Sequence, residues 1–86
     1  MQQNRTYWMW VTIIGDELGY TKLEMDAALL ELYAEPIVVE VKGKTVTTHL
    51  STSGMNVEQM SKYLERIIQF AAEQGIYLPM PQDYGR

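Results

Sequence analysis

The chain lacks cysteine altogether, which excludes a disulfide framework, a thiolate zinc site and a cysteine nucleophile. It has a single histidine, His49, too few for a histidine-rich metal cage. No metal and no cofactor are therefore expected. No apolar run approaches the ~20 residues of a membrane span. The polar start Met1-Gln2-Gln3-Asn4-Arg5 does not read as a signal peptide, so a cytoplasmic location with no membrane partner is the expectation. Basic residues are also in deficit, 7 against 11 acidic ones, for a net charge of −4. That balance disfavours tight electrostatic binding of a nucleic acid backbone, while leaving room for a local basic patch. What remains is an 86-residue chain, 47% hydrophobic and 21% charged, the composition of one small globular domain. The domain is expected over residues 1–78, with a loose tail at 79–86.

The acid is unevenly spread. Residues 1–36 carry a net −4, residues 37–50 a net +1, and residues 51–86 a net −1. An anion-binding surface is thus expected on the central segment or the last helix.

Periodicity predicts a first helix from about Gln3 to Leu18, with Tyr7, Trp10, Val11, Ile14 and Leu18 on one stripe and Gly19 as its stop. Trp8, Met9 and Ile13 lie off that stripe and are also apolar. They form a candidate protein interface, because so small a domain has few elements to cover a helix apolar nearly all round. Thr21-Lys22-Leu23-Glu24 fits a capping box that starts a second helix, and Pro36 ends it. Met25, Leu29, Leu32 and Tyr33 are its expected inward face. Ile37–Val41 and Thr45–Leu50, around Lys42-Gly43-Lys44, read as a β-hairpin. Two strands alone are marginal, so the hairpin is expected to pack on the helices. Asn56 and Gln59 start a third helix, Val57 to about Gln74, which Gly75 and Ile76 close. Its expected buried stripe is Val57, Met60, Leu64, Ile67, Ile68 and Ala71. The expected class is α+β, mostly helical, in the order helix-helix-β-hairpin-helix.

Candidate chemistry is thin. Asp16, Glu17, Glu24 and Asp26 lack the spacing that brings carboxylates onto a pair of metal ions, and read as a solvated face. His49 with Ser51 and Ser53 has no third member and no oxyanion loop, and no glycine-rich phosphate loop is present. No catalytic residue is assigned, and a non-enzymatic role is expected. Arg5, Lys42, Lys44, Lys62 and Arg66 are candidate contacts for nucleic acid phosphates, with Trp8 or Tyr63 available to stack on bases. Lysines at a hairpin tip also guard a sheet edge against aggregation, so both roles stay open for Lys42 and Lys44.

Two segments together carry a family resemblance. The first is Gln3-Asn4-Arg5-Thr6-Tyr7-Trp8, a Q-N-R-x-x-W helix start. The second is Ser51-Thr52-Ser53-Gly54-Met55, followed by a long amphipathic helix bearing Leu64-Glu65, Phe70, Glu73 and Gly75. In these the chain resembles the NinB (Orf) family of bacteriophage recombination proteins. The resemblance spans most of this chain but only the C-terminal part of a usual family member. Carried over by position, Gln3, Asn4, Arg5 and Trp8 are the first signature, and Ser51, Thr52, Ser53 and Met55 the second. The resemblance implies a non-enzymatic homodimer of phage or prophage origin, acting in the bacterial host cell. It implies binding of single-stranded DNA, contact with host single-strand-binding protein, and a role in DNA recombination. The competing expectation is a small acidic phage inhibitor, whose first 36 residues engage the basic surface of a host defence or DNA-processing complex. A fragment of a longer protein is the third alternative.

Overall fold

The computed structural model describes residues 2–80. In chain order its elements are α1 (Gln2–Leu18), α2 (Lys22–Tyr33), β1 (Pro36–Val41), β2 (Lys44–His49), a 3₁₀ turn (Thr52–Gly54) and α3 (Val57–Glu73). The fold is therefore α+β and mostly helical, in the expected order.

Each helix ends where its local chemistry dictates. The Thr21 side chain accepts from the Glu24 amide while the Glu24 carboxylate accepts from the Thr21 amide, which completes the capping box of α2. Asn56 and Gln59 do the same for α3. At the far end of α3, Gly75 turns left-handed (φ 73°) and the Ile76 amide reaches back to the Ala71 carbonyl at 2.8 Å, a Schellman closure. Gly15, within α1, has a different duty. A Cβ there would stand 2.8 Å from the Tyr20 carbonyl, so only glycine lets the chain fold back so tightly into α2.

The core lies between the three helices. Tyr7, Trp10, Val11 and Ile14 from α1 meet Met25 and Leu29 from α2, and Met60, Tyr63, Leu64, Ile67 and Ala71 from α3. Leu78 closes one end, and the Trp10 indole Nε1 donates to the Pro79 carbonyl at 2.8 Å. Of the expected loose tail 79–86, Pro79 is thus tied to α1, and residues 81–86 lie outside the described residues. A polar thread crosses this core. The Tyr7 hydroxyl donates to Asp26 Oδ1 and lies 3.2 Å from the Tyr63 hydroxyl, which joins all three helices. Burial first, and then the bond to Asp26, push the Tyr7 phenol far above its ordinary value. Burial also raises Tyr63.

Several expected placements are corrected. Leu32 is 62% exposed, because only Met25 and Leu29 of α2 are fully buried. Val57 is exposed at the first turn of α3, and Ile68 is only half-buried. The hairpin is the larger departure. Lys42 (φ 50°) and Gly43 (φ 80°) form a two-residue type I′ turn, so β2 begins at Lys44. Ten of the twelve strand residues are exposed; only Ile37 and His49, at the base, are partly covered. The ribbon stands off the helices instead of packing along them. Its base is fastened by His49, whose Nδ1 is 3.1 Å from the Ala34 carbonyl and whose Nε2 is 3.4 Å from Glu31.

The turn also sets which backbone groups the ribbon leaves open. In a two-residue hairpin the flanking pair, here Val41 and Lys44, exchanges hydrogen bonds, and the pattern then alternates. Val39–Val46 and Ile37–Thr48 bond inward. The amides and carbonyls of Val38 and Glu40 on β1, and of Thr45 and Thr47 on β2, therefore point outward along the two free edges.

Candidate nucleic-acid interface

The two signature segments, far apart in sequence, meet in space. The Thr52 hydroxyl donates to Asn4 Oδ1 at 3.2 Å, and Gln3 Nε2 donates to the Ser61 hydroxyl of α3 at 2.9 Å. Ser51 and Ser53 share a hydrogen bond of 2.9 Å within the 3₁₀ turn. The first turn of α1 is thereby tied to the 3₁₀ turn through Asn4 and to α3 through Gln3. On its other side the 3₁₀ turn opens onto a shallow cleft lined by Leu50, Met55, Gln59, Lys62 and Arg66, with Tyr33, Ala34, Glu35 and Tyr63 completing the wall. The cleft encloses about 20 Å³, room for roughly one water molecule, and cannot swallow a nucleotide. Any ligand here lies across the surface.

The cations fall into groups. Lys62 and Arg66 stand one helical turn apart on α3 and share the cleft. Lys62 pairs with Glu58 at 3.4 Å, an exposed pair that water screens. Arg66 spends one of its five N–H donors on the Tyr33 carbonyl at 2.8 Å, a bond that fixes its guanidinium at the cleft. Lys42 and Lys44 sit at the ribbon tip, five residues, or about 17 Å, from the base pair Pro36–His49. Arg5 is exposed on α1. Among the described residues, Arg5, Lys42, Lys44 and Arg66 form no salt bridge. These charges are available to an anionic partner, but one chain does not gather all five. Glu35, also in the cleft wall, offsets part of the local positive charge.

The expected stacking aromatics are not on offer. Tyr63 is 2% exposed, and Trp8 is half-buried, edge-on to Tyr7, with the Lys22 ammonium 5.9 Å from its ring centre. The half-buried Tyr33 ring of the cleft leans on Phe70 of α3, with centroids 5.8 Å apart. Trp8, Met9 and Ile13 do not make one patch. At about 100° per residue, Trp8 and Ile13 are separated by roughly 140° around α1. Both pack against the core rim, and Met9 alone is exposed, at 40%.

Two other arrangements are resolved by geometry. Both ring nitrogens of His49 engage Ala34 and Glu31, which leaves neither on Ser51 or Ser53. Among the described residues no cluster of three or more His, Asp or Glu side chains is placed to hold a metal, and no helix is long and apolar enough to cross a membrane. Tyr33, Glu35, Leu50 and Gln59 were not anticipated as site residues. A signal for part of the cleft was present, since Gln59, Lys62, Tyr63 and Arg66 recur at i, i+3, i+4 and i+7 on one helical face.

No known family model, curated protein or solved structure matches this chain.

Proposed function

We propose that this chain is a non-enzymatic accessory protein of NinB/Orf type in phage DNA recombination, which holds single-stranded DNA across the cleft between the 3₁₀ turn and α3. The observation that carries the reading is the direct Thr52–Asn4 hydrogen bond. It joins the two signature segments into one polar surface, and Met55 of the second signature lines the cleft that Lys62 and Arg66 flank. Asn, Gln, Ser and Thr side chains beside Lys and Arg are the groups that position a phosphate backbone. A shallow site of this kind favours a strand lying across it over a buried substrate. Host single-strand-binding protein is the second partner that the reading includes.

An NMR titration with a short single-stranded oligonucleotide tests this. Shifts concentrated on Asn4, Thr52, Met55, Lys62 and Arg66 are expected. Shifts confined to α2, or none at low salt, would refute it.

A second reading has its own observation. The outward side of α2 presents Glu24, Ala27, Ala28 and Glu31, with Leu23 (72% exposed) and Leu32 (62% exposed) on its two opposite edges, about 180° apart around the helix. An acidic surface with apolar anchors suits a basic protein partner, as an inhibitor of a host defence or DNA-processing complex requires. Loss of partner binding in Leu32→Lys, with oligonucleotide binding intact, would favour it.

A further inference from the structure

A two-stranded ribbon is marginal in water unless a third strand or a helix supports it. This one has no third strand and is tied to a helix only at its base, and it exposes Val38 (66%), Val39 (41%), Val41 (51%) and Val46 (47%). Its two edges are not equivalent. Along β1, Pro36 lacks an amide, and the outward pair Val38 and Glu40 places a carboxylate beside any incoming strand. Along β2, the outward residues are Thr45 and Thr47, with no proline and no acid from Lys44 to His49. The open edge is β2.

We propose that β2 pairs antiparallel with β2 of a second copy of this chain, about a twofold axis at Val46, to form a four-stranded sheet. The register follows from the edge. Outward groups must face outward groups, so Thr45 bonds with Thr47 of the partner copy and Thr47 with its Thr45. Val46 then lies directly opposite its own counterpart in a non-hydrogen-bonded pair, where side chains come closest. Because Val39 faces Val46 within each ribbon, one row of four valines crosses the sheet. Lys44 stands opposite Thr48 and not opposite another lysine, so no like charges face each other. The arrangement also matches charge end to end. It carries the Lys42–Lys44 tip of each copy to the base of the other, where Glu31 holds His49 and Glu35 lines the cleft.

That last feature bears on the cations that one chain leaves scattered. In the pair, the tip lysines of one copy approach the end of the ribbon beside which Lys62 and Arg66 of the other line their cleft. Each cleft is then completed in trans and its local positive charge grows. This consequence rests on the DNA-binding reading, whereas the strand pairing stands on the ribbon alone.

The absence of cysteine makes the test clean. Val46→Cys places two thiols across a non-hydrogen-bonded pair with Cα atoms about 4.5 Å apart, within the range a disulfide spans. Mild oxidation is expected to convert this variant to a covalent dimer, while Val38→Cys, on the more exposed β1 edge, stays uncrosslinked. Light scattering of the parent chain is expected to give twice the monomer mass. Thr47→Pro removes an outward amide without touching the ribbon's own bonds, and should restore the monomer with an unchanged circular dichroism spectrum. A parent that stays monomeric at every concentration, or equal crosslinking at positions 38 and 46, overturns the proposal. Should Thr47→Pro misfold, the comparison of the two cysteine variants still decides. If pairing fails but oligonucleotide binding still depends on Lys62 and Arg66, only this proposal falls. If pairing holds and no oligonucleotide binds, only the functional reading falls.

Discussion

Removing the hydroxyl of Tyr7 tests whether the polar thread through the core holds the three helices together. In Tyr7→Phe the ring stays in place, but Asp26 loses its donor and the Tyr63 hydroxyl, on a residue 2% exposed, loses its neighbour. A hydrogen bond to a charged group contributes about 1.5–3 kcal/mol, and a buried hydroxyl left unpaired adds to the loss. Asp26 is only half-buried, so water recovers part of it. The net cost is about 2 kcal/mol, which for a domain of this size lowers Tm by about 8–16 °C. Tyr63→Phe leaves the Tyr7–Asp26 bond intact and should cost about 1 kcal/mol. Urea unfolding of Tyr7→Phe, of Asp26→Asn and of the two combined measures the Tyr7–Asp26 coupling, expected to be about 1 kcal/mol or more. A Tyr7→Phe protein within about 0.5 kcal/mol of the parent, or one less affected than Tyr63→Phe, would refute the reasoning.

Other outcomes follow from the same structure. Both tyrosines titrate above the ordinary phenol value of 10.0 when folded, so their contribution is complete below pH 10 and falls away above it. Thermal melts should therefore show stability dropping by about 1.4 kcal/mol per tyrosine per pH unit above that point; a flat profile to pH 11 would contradict it. Leu29→Ala, at a fully buried position between helices, should cost about 2–5 kcal/mol by denaturant titration, whereas Leu32→Ala should stay within about 0.5 kcal/mol. Asn56→Ala removes the cap of α3 and should cost about 1 kcal/mol in the same assay, with a null effect speaking against the capping box.

How far the sequence was legible depended on how local the cause was. Helix starts and stops at Thr21, Asn56 and Gly75 rest on neighbours within a few residues, and they came through. The stripe of α3 came through largely because its polar and apolar faces differ sharply. α2 has Leu23, Ala27, Ala28, Leu30 and Leu32 distributed around its circumference, so no phase was visible and Leu32 was placed on the wrong side. The hairpin's composition announced strands but carried no information on what covers them. The Tyr7–Asp26–Tyr63 thread joins residues 19 and 56 positions apart, beyond any periodic pattern. Arg66 was legible as a cation, but its bond to the Tyr33 carbonyl, which orients it, was not.

The decisive measurement is the salt dependence of single-stranded oligonucleotide binding, followed by fluorescence polarisation for the parent and for the Lys62→Ala, Arg66→Ala double variant. Counterion release from a single strand contributes a slope of about −0.7 in log K against log salt for each phosphate neutralised. A strand held by the two cleft cations Lys62 and Arg66 should give a slope of about −1.4 or steeper for the parent, and the double variant should lose about 1.4 of that magnitude. Binding absent at the lowest salt, or a slope unchanged by removing both cleft cations, would contradict a DNA-holding role.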